Sequence, residues 1–300
     1  EDLLLLLLDP DRFLFDNENH TVENGVQLLY RKDKLYGRDI EATLITDAFC
    51  RVSRGKSEAF FIGGFSGSGK SMLVNCLRKR VNHVGGYTIK YKFDAISQER
   101  PLSGVISAFN QICLMIKCRD RHAMAKKLKD EFGVDFSLLI RLLPNVSVLF
   151  PEHFNRVMNV DVGEKMNARS VSFTLLRFVR VVSSPRHPVM LFLDDIQWAD
   201  STALEVIHTI LSDTMGSYML FVGAYRDNEV QVDHPIFDLI ERLKNSNVRA
   251  TKVSLSGLDQ EDINTMISDA LCLYPRVCKS LSGIVFQKTK GSPFFCVGVR

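Results

Sequence analysis

Gly64-Phe65-Ser66-Gly67-Ser68-Gly69-Lys70-Ser71 is the stretch on which the reading of this chain turns. Ahead of it stands the apolar run Ala59–Ile62, and behind it Met72 opens the helical pattern MLVNCLRKR. The spacing is G-x-x-x-x-G-K-[ST] in the strand-then-helix context that gives the motif its meaning. Glycines let successive backbone N–H groups turn inward around a polyphosphate. The helix after the loop aims the positive end of its dipole at the same point. Lys70 would then reach the β- and γ-phosphates, and the Ser71 hydroxyl would be a ligand for Mg2+. The competing reading is a glycine-rich strand-to-helix turn that binds nothing.

Outward from this loop the texture is regular. Tyr87–Phe93, Pro188–Asp194, Tyr218–Tyr225 and Val248–Leu255 are further short runs rich in Val, Ile, Phe and Tyr. With Ala59–Ile62 they read as strands buried on both faces. Between them lie helical patterns at Lys70–Val81, Ser103–Cys118, Glu164–Val182, Ser201–Met215 and Ile236–Lys244. Strands alternating with helices of this length predict an α/β fold, a parallel sheet sandwiched by helices. After Gly257 the pattern turns wholly helical. Asp259 or Ser256 caps a helix through Leu271, a second runs from about Arg276 to Lys288, and Pro293 suits the start of a third. The expected organisation is a peripheral segment over 1–35, a nucleotide-binding domain over 36–255 and an incomplete helical lid over 256–300. The chain reads as a segment of something longer.

Val189-Met190-Leu191-Phe192-Leu193-Asp194-Asp195 is the second chemical signal. Acids at the carboxyl end of a parallel strand face the crevice in which α/β ligands bind. Asp194 would hold Mg2+ beside Ser71, and Asp195 would polarise an attacking water.

LYGRDIE before the loop, DDIQWADSTALEVI after the acidic strand and GAYRDNEV after the next strand share one resemblance. GLDQEDINTMISDAL and KGSPFF complete it. Together with the loop they resemble the STAND-class, origin-recognition-like AAA-type P-loop ATPase module. In that family the module is often fused to kinases, nucleotide cyclases or transcription regulators. The likeness covers roughly residues 35–298.

The resemblance implies a role for each of these motifs. By it, Gly64, Phe65, Ser66, Gly67, Ser68, Gly69, Lys70, Ser71 and Met72 form the nucleotide loop, with Lys70 also counted among the catalytic residues. Gly37 and Arg38, with Glu41 in the next turn, border the base and ribose, and Pro293 packs near the adenine. Arg226 is the sensor arginine for the γ-phosphate, and Trp198 and Asp200 shape the loop after the acids. The strand ending at Arg226 separates the Asp194 strand from a central loop strand. Ser292 stands where the family usually has Asn. The bland alternatives are salt-bridged or solvated arginines for Arg38 and Arg226, and a plain helix start for Pro293. The implied ligands are ATP or ADP with Mg2+. The implied partners are effector domains outside this segment, and a homo-oligomer is compatible with the family.

Composition narrows the classes further. The 300 residues carry 38 Lys+Arg against 35 Asp+Glu, a net charge of +3, too weak to argue for nucleic acid or an anionic membrane. The longest pure apolar run, Leu3–Leu8, is far too short to span a bilayer. Seven scattered cysteines with no CxxC pair suggest reduced thiols in a cytoplasmic protein. Seven histidines show no paired-ligand spacing. Lys126, Lys127 and Lys129 read as a solvated helical face, and Leu138–Phe150 as buried packing. The rival functions are a non-hydrolysing nucleotide-binding scaffold, a DNA-loading ATPase of the origin-recognition kind and a small-molecule P-loop kinase. The kinase would need phosphate-clamping lid arginines, and only Arg276 and Arg300 come after Gly257.

Overall fold

Apolar runs with β-branched and aromatic residues become strands where both faces can be covered. The computed structural model describes residues 34–94, 102–150, 167–213, 215, 217–231 and 233–298. All but two residues of the expected 1–35 segment, with its Leu3–Leu8 run, lie outside the described residues. So do Arg300 and the start of the expected Glu164–Val182 helix.

In chain order the elements begin with α1 (Asp39–Val52), β1 (Glu58–Gly64), α2 (Lys70–His83) and β2 (Tyr87–Lys92). Next come α3 (Ser103–Asn110), α4 (Ile112–Met115), α5 (Cys118–Phe132), α6 (Phe136–Leu142) and α7 (Ala168–Val182). Then come β3 (Val189–Asp194), α8 (Ser201–Leu211), β4 (Met219–Ala224), α9 (Pro235–Asn245) and β5 (Arg249–Leu255). The last are α10 (Gln260–Leu271), α11 (Pro275–Thr289) and α12 (Pro293–Gly298). Two compact units divide them: Glu1–Ile40 with Phe65–Leu73 and Leu255–Arg300, and Glu41–Gly64 with Val74–Ser254.

The larger unit holds the sheet, in the order β2-β3-β4-β1-β5. The pairs β2·β3, β3·β4 and β4·β1 are parallel, with Leu193 opposite Gly223 and Ile62 opposite Ala224. The β4 strand therefore lies between β1 and β3, as the resemblance implies. The middle strand of five is β4, however, so the loop strand is displaced one place from the centre. Every residue of β1, β3 and β4 is buried. The expectation of burial on both faces fails for β2 and β5. In β2 Tyr87 and Ile89 are buried while Lys90 and Lys92 are exposed, and in β5 only Leu255 is buried. Both are edge strands, where charged residues also guard an open hydrogen-bonding edge.

The expected single helix Ser103–Cys118 is broken. Asn110 receives the side-chain amide of Asn145 on its carbonyl at 3.0 Å and the Asn145 backbone N–H on its own amide oxygen at 2.8 Å. That exchange takes the Asn110 carbonyl out of the helical ladder. The chain restarts as α4 and, after the extended residue Ile116, as α5. The three lysines lie on α5, whose Leu128 is fully buried on the opposite face. Leu139, Leu142, Leu143, Val146, Leu149 and Phe150 pack into the same core as the sheet. At α7 the Asn167 side chain accepts from Ser170 N at 2.8 Å, an N-cap that starts the helix. The smaller unit has its own core of Leu258, Ile263, Met266, Ile267, Cys278, Val285 and Cys296.

Between α2 and β2, Gly86 lets two chain segments meet. A Cβ there would fall 2.6 Å from Pro188 O and 2.8 Å from Val81 Cγ1. Pro188 O also accepts from Tyr87 N at 2.9 Å, so it is not free to retreat. Gly86→Ala should destabilise the protein by about 1–3 kcal/mol, the usual cost of overpacking. Urea unfolding checks this; an unchanged midpoint would show that the backbone yields without loss.

Candidate functional site

The loop after β1 is built from glycine conformations. Gly67 and Gly69 have φ of 80° and 98°, values that L side chains rarely adopt. A Cβ on Gly69 would meet nothing within 4 Å, so this glycine is demanded by the backbone angle and not by crowding. The turn closes through Ser68 N to Phe65 O at 3.2 Å, and α2 begins with Met72 N and Leu73 N both bonded to Gly69 O at 3.0 Å. Lys70, in the first turn of α2, is 7% exposed and donates from Nζ to Phe65 O at 2.8 Å. The Ser68 hydroxyl is buried and has no hydrogen-bond partner. A buried unpaired hydroxyl in a loop open above Gly69 suits a ligand rich in polar oxygens.

Arg38 supports this loop from within the same unit. It is 5% exposed and donates from Nη2 to Ser68 O at 3.3 Å and, more closely, to Ser256 O. The guanidinium thus braces the loop through backbone carbonyls. Gly37, at φ 59°, sits where a Cβ would overlap the Asp262 carboxylate, so glycine is needed for this approach. Burial, together with neighbouring Asp259, raises the Asp262 carboxyl above its ordinary value, against the pull of Arg38. Lys34 and Tyr36 both donate to Asp269 Oδ2, at 2.6 and 2.8 Å, fixing the segment before Gly37 on α10. Pro293 opens α12, and Phe294 N donates to Gly67 O at 3.3 Å. The Ser292 hydroxyl beside it is buried without a partner.

The acidic residues belong to the sheet unit. Asp194 ends β3 at 7% exposure and accepts from Asp195 N at 3.2 Å. Asp195 has φ 53° and ψ 45°, left-handed for a residue that is not glycine, and leads into the 3-10 turn Ile196–Trp198. Its carboxylate is gripped by Arg226, Nε to Oδ1 and Nη2 to Oδ2, each 3.1 Å. Lys92 Nζ lies 3.3 Å from Oδ2. Burial alone would raise this carboxyl, but the Arg226 guanidinium and the Lys92 ammonium hold it below its ordinary value. The third arm of Arg226, Nη1, donates to Glu229 Oε1 at 2.7 Å. Hydrogen bonds to these two carboxylates raise the guanidinium's pKa above its ordinary value. Asp200 caps α8 by accepting from Ala203 N at 2.9 Å, and Trp198 packs against the core.

The structure thus brings Asp194, Asp195 and Arg226 together at the carboxyl ends of β3 and β4, next to the end of β1. It also shows Arg226 paired, one of the alternatives that the sequence leaves open. Sequence reasoning singles out none of Lys92, Gln197 and Glu229, which complete the cluster. Glu229, three residues after Arg226, carries a weak signal of an ion pair; Gln197 carries none.

Residues 34–222 match the family described as AAA ATPase domain. The chain is 25% identical over 334 aligned residues to hybrid signal transduction histidine kinase G of Dictyostelium discoideum, covering 89% of this chain and 9% of that protein. Against histidine protein kinase 1 of Candida albicans it is 21% identical over 295 residues, covering 86% of this chain and 12% of that protein. The chain therefore spans about a tenth of the length of these relatives. Among solved structures, Cdc6p from Pyrobaculum aerophilum superposes with a TM-score of 0.50 at 11% identity, covering 94% of this chain and 63% of that one. That likeness concerns the fold. With well over half of its length matched, the chain belongs to the AAA ATPase domain family.

Proposed function

We propose that this chain is an ATP·Mg2+-binding switch module of the STAND class that turns ATP over slowly within a larger signalling protein. The observation that carries this reading is the loop at Gly64–Ser71, with its lysine at the start of a helix and its unpaired buried hydroxyl. The signalling part rests on the relatives, both named as histidine kinases. Residues 36–255 then form the nucleotide-binding domain, 256–300 a helical lid and 1–35 a peripheral segment. Effector parts lie outside this segment.

In this reading the backbone of Gly64–Met72 and the Lys70 ammonium take the phosphates. Ser71 and Asp194 offer the hard oxygen donors that Mg2+ prefers. Magnesium, when bound, neutralises charge on the β- and γ-phosphates. Asp195 accepts a proton from the attacking water, and Arg226 answers to the γ-phosphate. Gly37 and Arg38 act on the nucleotide through the loop that Arg38 braces, and Pro293 packs near the base. A second reading, a scaffold that binds ATP without hydrolysing it, is favoured by one observation. The carboxylate assigned to water is already held by Arg226.

Three measurements test these roles. Lys70→Ala should lower nucleotide affinity by at least about tenfold, because charge-assisted bonds to phosphate are lost while fold contacts remain. Titration with a fluorescent ATP analogue reads this, and unchanged affinity in a folded variant removes the loop assignment. Asp195→Asn should keep ATP·Mg2+ binding and slow hydrolysis by about 10²-fold, since an amide takes no proton from water. Tight binding with no turnover in the parent protein would favour the scaffold. Arg226→Ala should weaken ATP by roughly 1–3 kcal/mol and leave ADP nearly unchanged. Calorimetry with both nucleotides decides this, and equal losses would make Arg226 a structural residue only.

A further inference from the structure

Two loops of the sheet unit meet around one buried amide. Asp195 belongs to the loop after β3, whereas Arg226 and Glu229 belong to the loop after β4. Within the second loop Glu229 N donates to Arg226 O at 3.0 Å, so these two residues are carried together. Gln197, 7% exposed, joins the loops. Its Nε2 donates to Glu229 Oε2 at 2.8 Å and stands 3.5 Å from Asp195 Oδ1, while its Oε1 accepts from Arg226 N at 3.4 Å. Only the NH2 end of an amide can lie between two carboxylates, so the chemistry of the neighbours fixes its orientation. The guanidinium has its Nε and Nη2 on one carboxylate and its Nη1 on another. It can meet a further anion through Nε and Nη2 only by leaving Asp195, and it need not leave Glu229 to do so.

We propose that Gln197 is a positioning residue that locks the Arg226 loop onto Asp195, so that this carboxylate stays covered until the guanidinium swings away on Glu229. The inference rests on the roles proposed above for Asp195 and Arg226. Gln197 touches no reacting atom in this scheme. It sets how often the pair opens, and through that how often Asp195 faces water. Lys92, 60% exposed on its side chain, lies 3.3 Å from Asp195 Oδ2 and belongs to β2, not to the second loop.

The test uses the whole chain and begins without nucleotide. The Arg226 Nε–H resonance, identified by its loss in Arg226→Lys, is monitored for exchange with water. In the parent it should be protected relative to solvent-facing arginines. Gln197→Met keeps the side-chain length but removes the amide, and exchange should rise by about tenfold, the equivalent of one lost hydrogen bond. Gln197→Glu, which adds another carboxylate to the cluster, should move it the same way if the Met variant folds poorly. With ATP added, turnover of the opened variants should rise several-fold, and ATP affinity should rise by up to about tenfold because the nucleotide no longer works against the lock. A residue serving only the fold would lower turnover instead. An unprotected Nε–H in the parent, exchange unchanged in both variants, or turnover that falls in a folded variant overturns the proposal. A parent that neither binds nor hydrolyses ATP would remove the roles of Asp195 and Arg226. The exchange measurement would still decide whether Gln197 holds the pair.

Discussion

Parallel pairing of three fully buried strands is the constraint on which the rest of the sheet unit depends. With β4 hydrogen-bonded between β1 and β3, the ends of all three emerge at one edge. Gly64, Asp194 and the Arg226 loop are therefore neighbours through register alone, although they are far apart in sequence. None of the three strands has a polar face to turn toward water, so a one-residue slip would gain nothing in burial. Register is instead held by the hydrogen-bond ladder and by what lies at the strand ends. Gly63 is one such restraint, since a Cβ there would overlap the Asp227 carboxylate and reach 3.0 Å from Tyr225 OH.

That edge concentrates polar groups whose geometry is costly. Asp195 takes a left-handed backbone conformation that non-glycine residues avoid, at an expense of about 1 kcal/mol. The conformation persists because the Arg226 fork and the turn after Asp195 over-determine it. Tyr225, just before Arg226, has its hydroxyl buried without a partner, and burial beside Asp227 pushes its phenol up to about 12. One left-handed non-glycine residue and one unsatisfied buried hydroxyl thus stand at the strand ends, where the chemistry is expected.

Much of this is legible in the sequence because it is local. Loop glycines, the lysine at a helix start, five apolar runs and the cap at Asp259 all depend on neighbours a few residues away. The break after Asn110 is not legible, because its cause, Asn145, lies 35 residues downstream. The edge positions of β2 and β5 depend on strand order, which apolar content does not encode, although the lysines in YTIKYK hint at it. The motif places Arg38 beside base and ribose, but that its Nη2 donates to Ser68 O and Ser256 O is visible only in the structure. A motif gives the position of an arginine and not the partner on which its donors are used. The same holds for Arg226, whose partners become visible only once two loops are brought side by side.

The pairing of Arg226 with Asp195 also bears on whether the cluster can act as a switch. A guanidinium about a third exposed on its side chain is partly screened, so its fork contributes less than a buried pair would. Charge-assisted hydrogen bonds contribute about 1.5–3 kcal/mol net before such screening. In the proposed scheme, moving the fork from the screened carboxylate to a phosphate oxygen exchanges a weaker set of these bonds for a stronger one. The preference between the two states then comes from the ligand's differential binding, which alone can shift such an equilibrium. A fully buried pair would lock the arginine, because opening it would strand a charge away from water. A fully exposed one would hold nothing. Intermediate exposure, with Glu229 retaining one arm of the guanidinium, is the condition under which the proposed exchange of Asp195 for an anionic group of a ligand costs least.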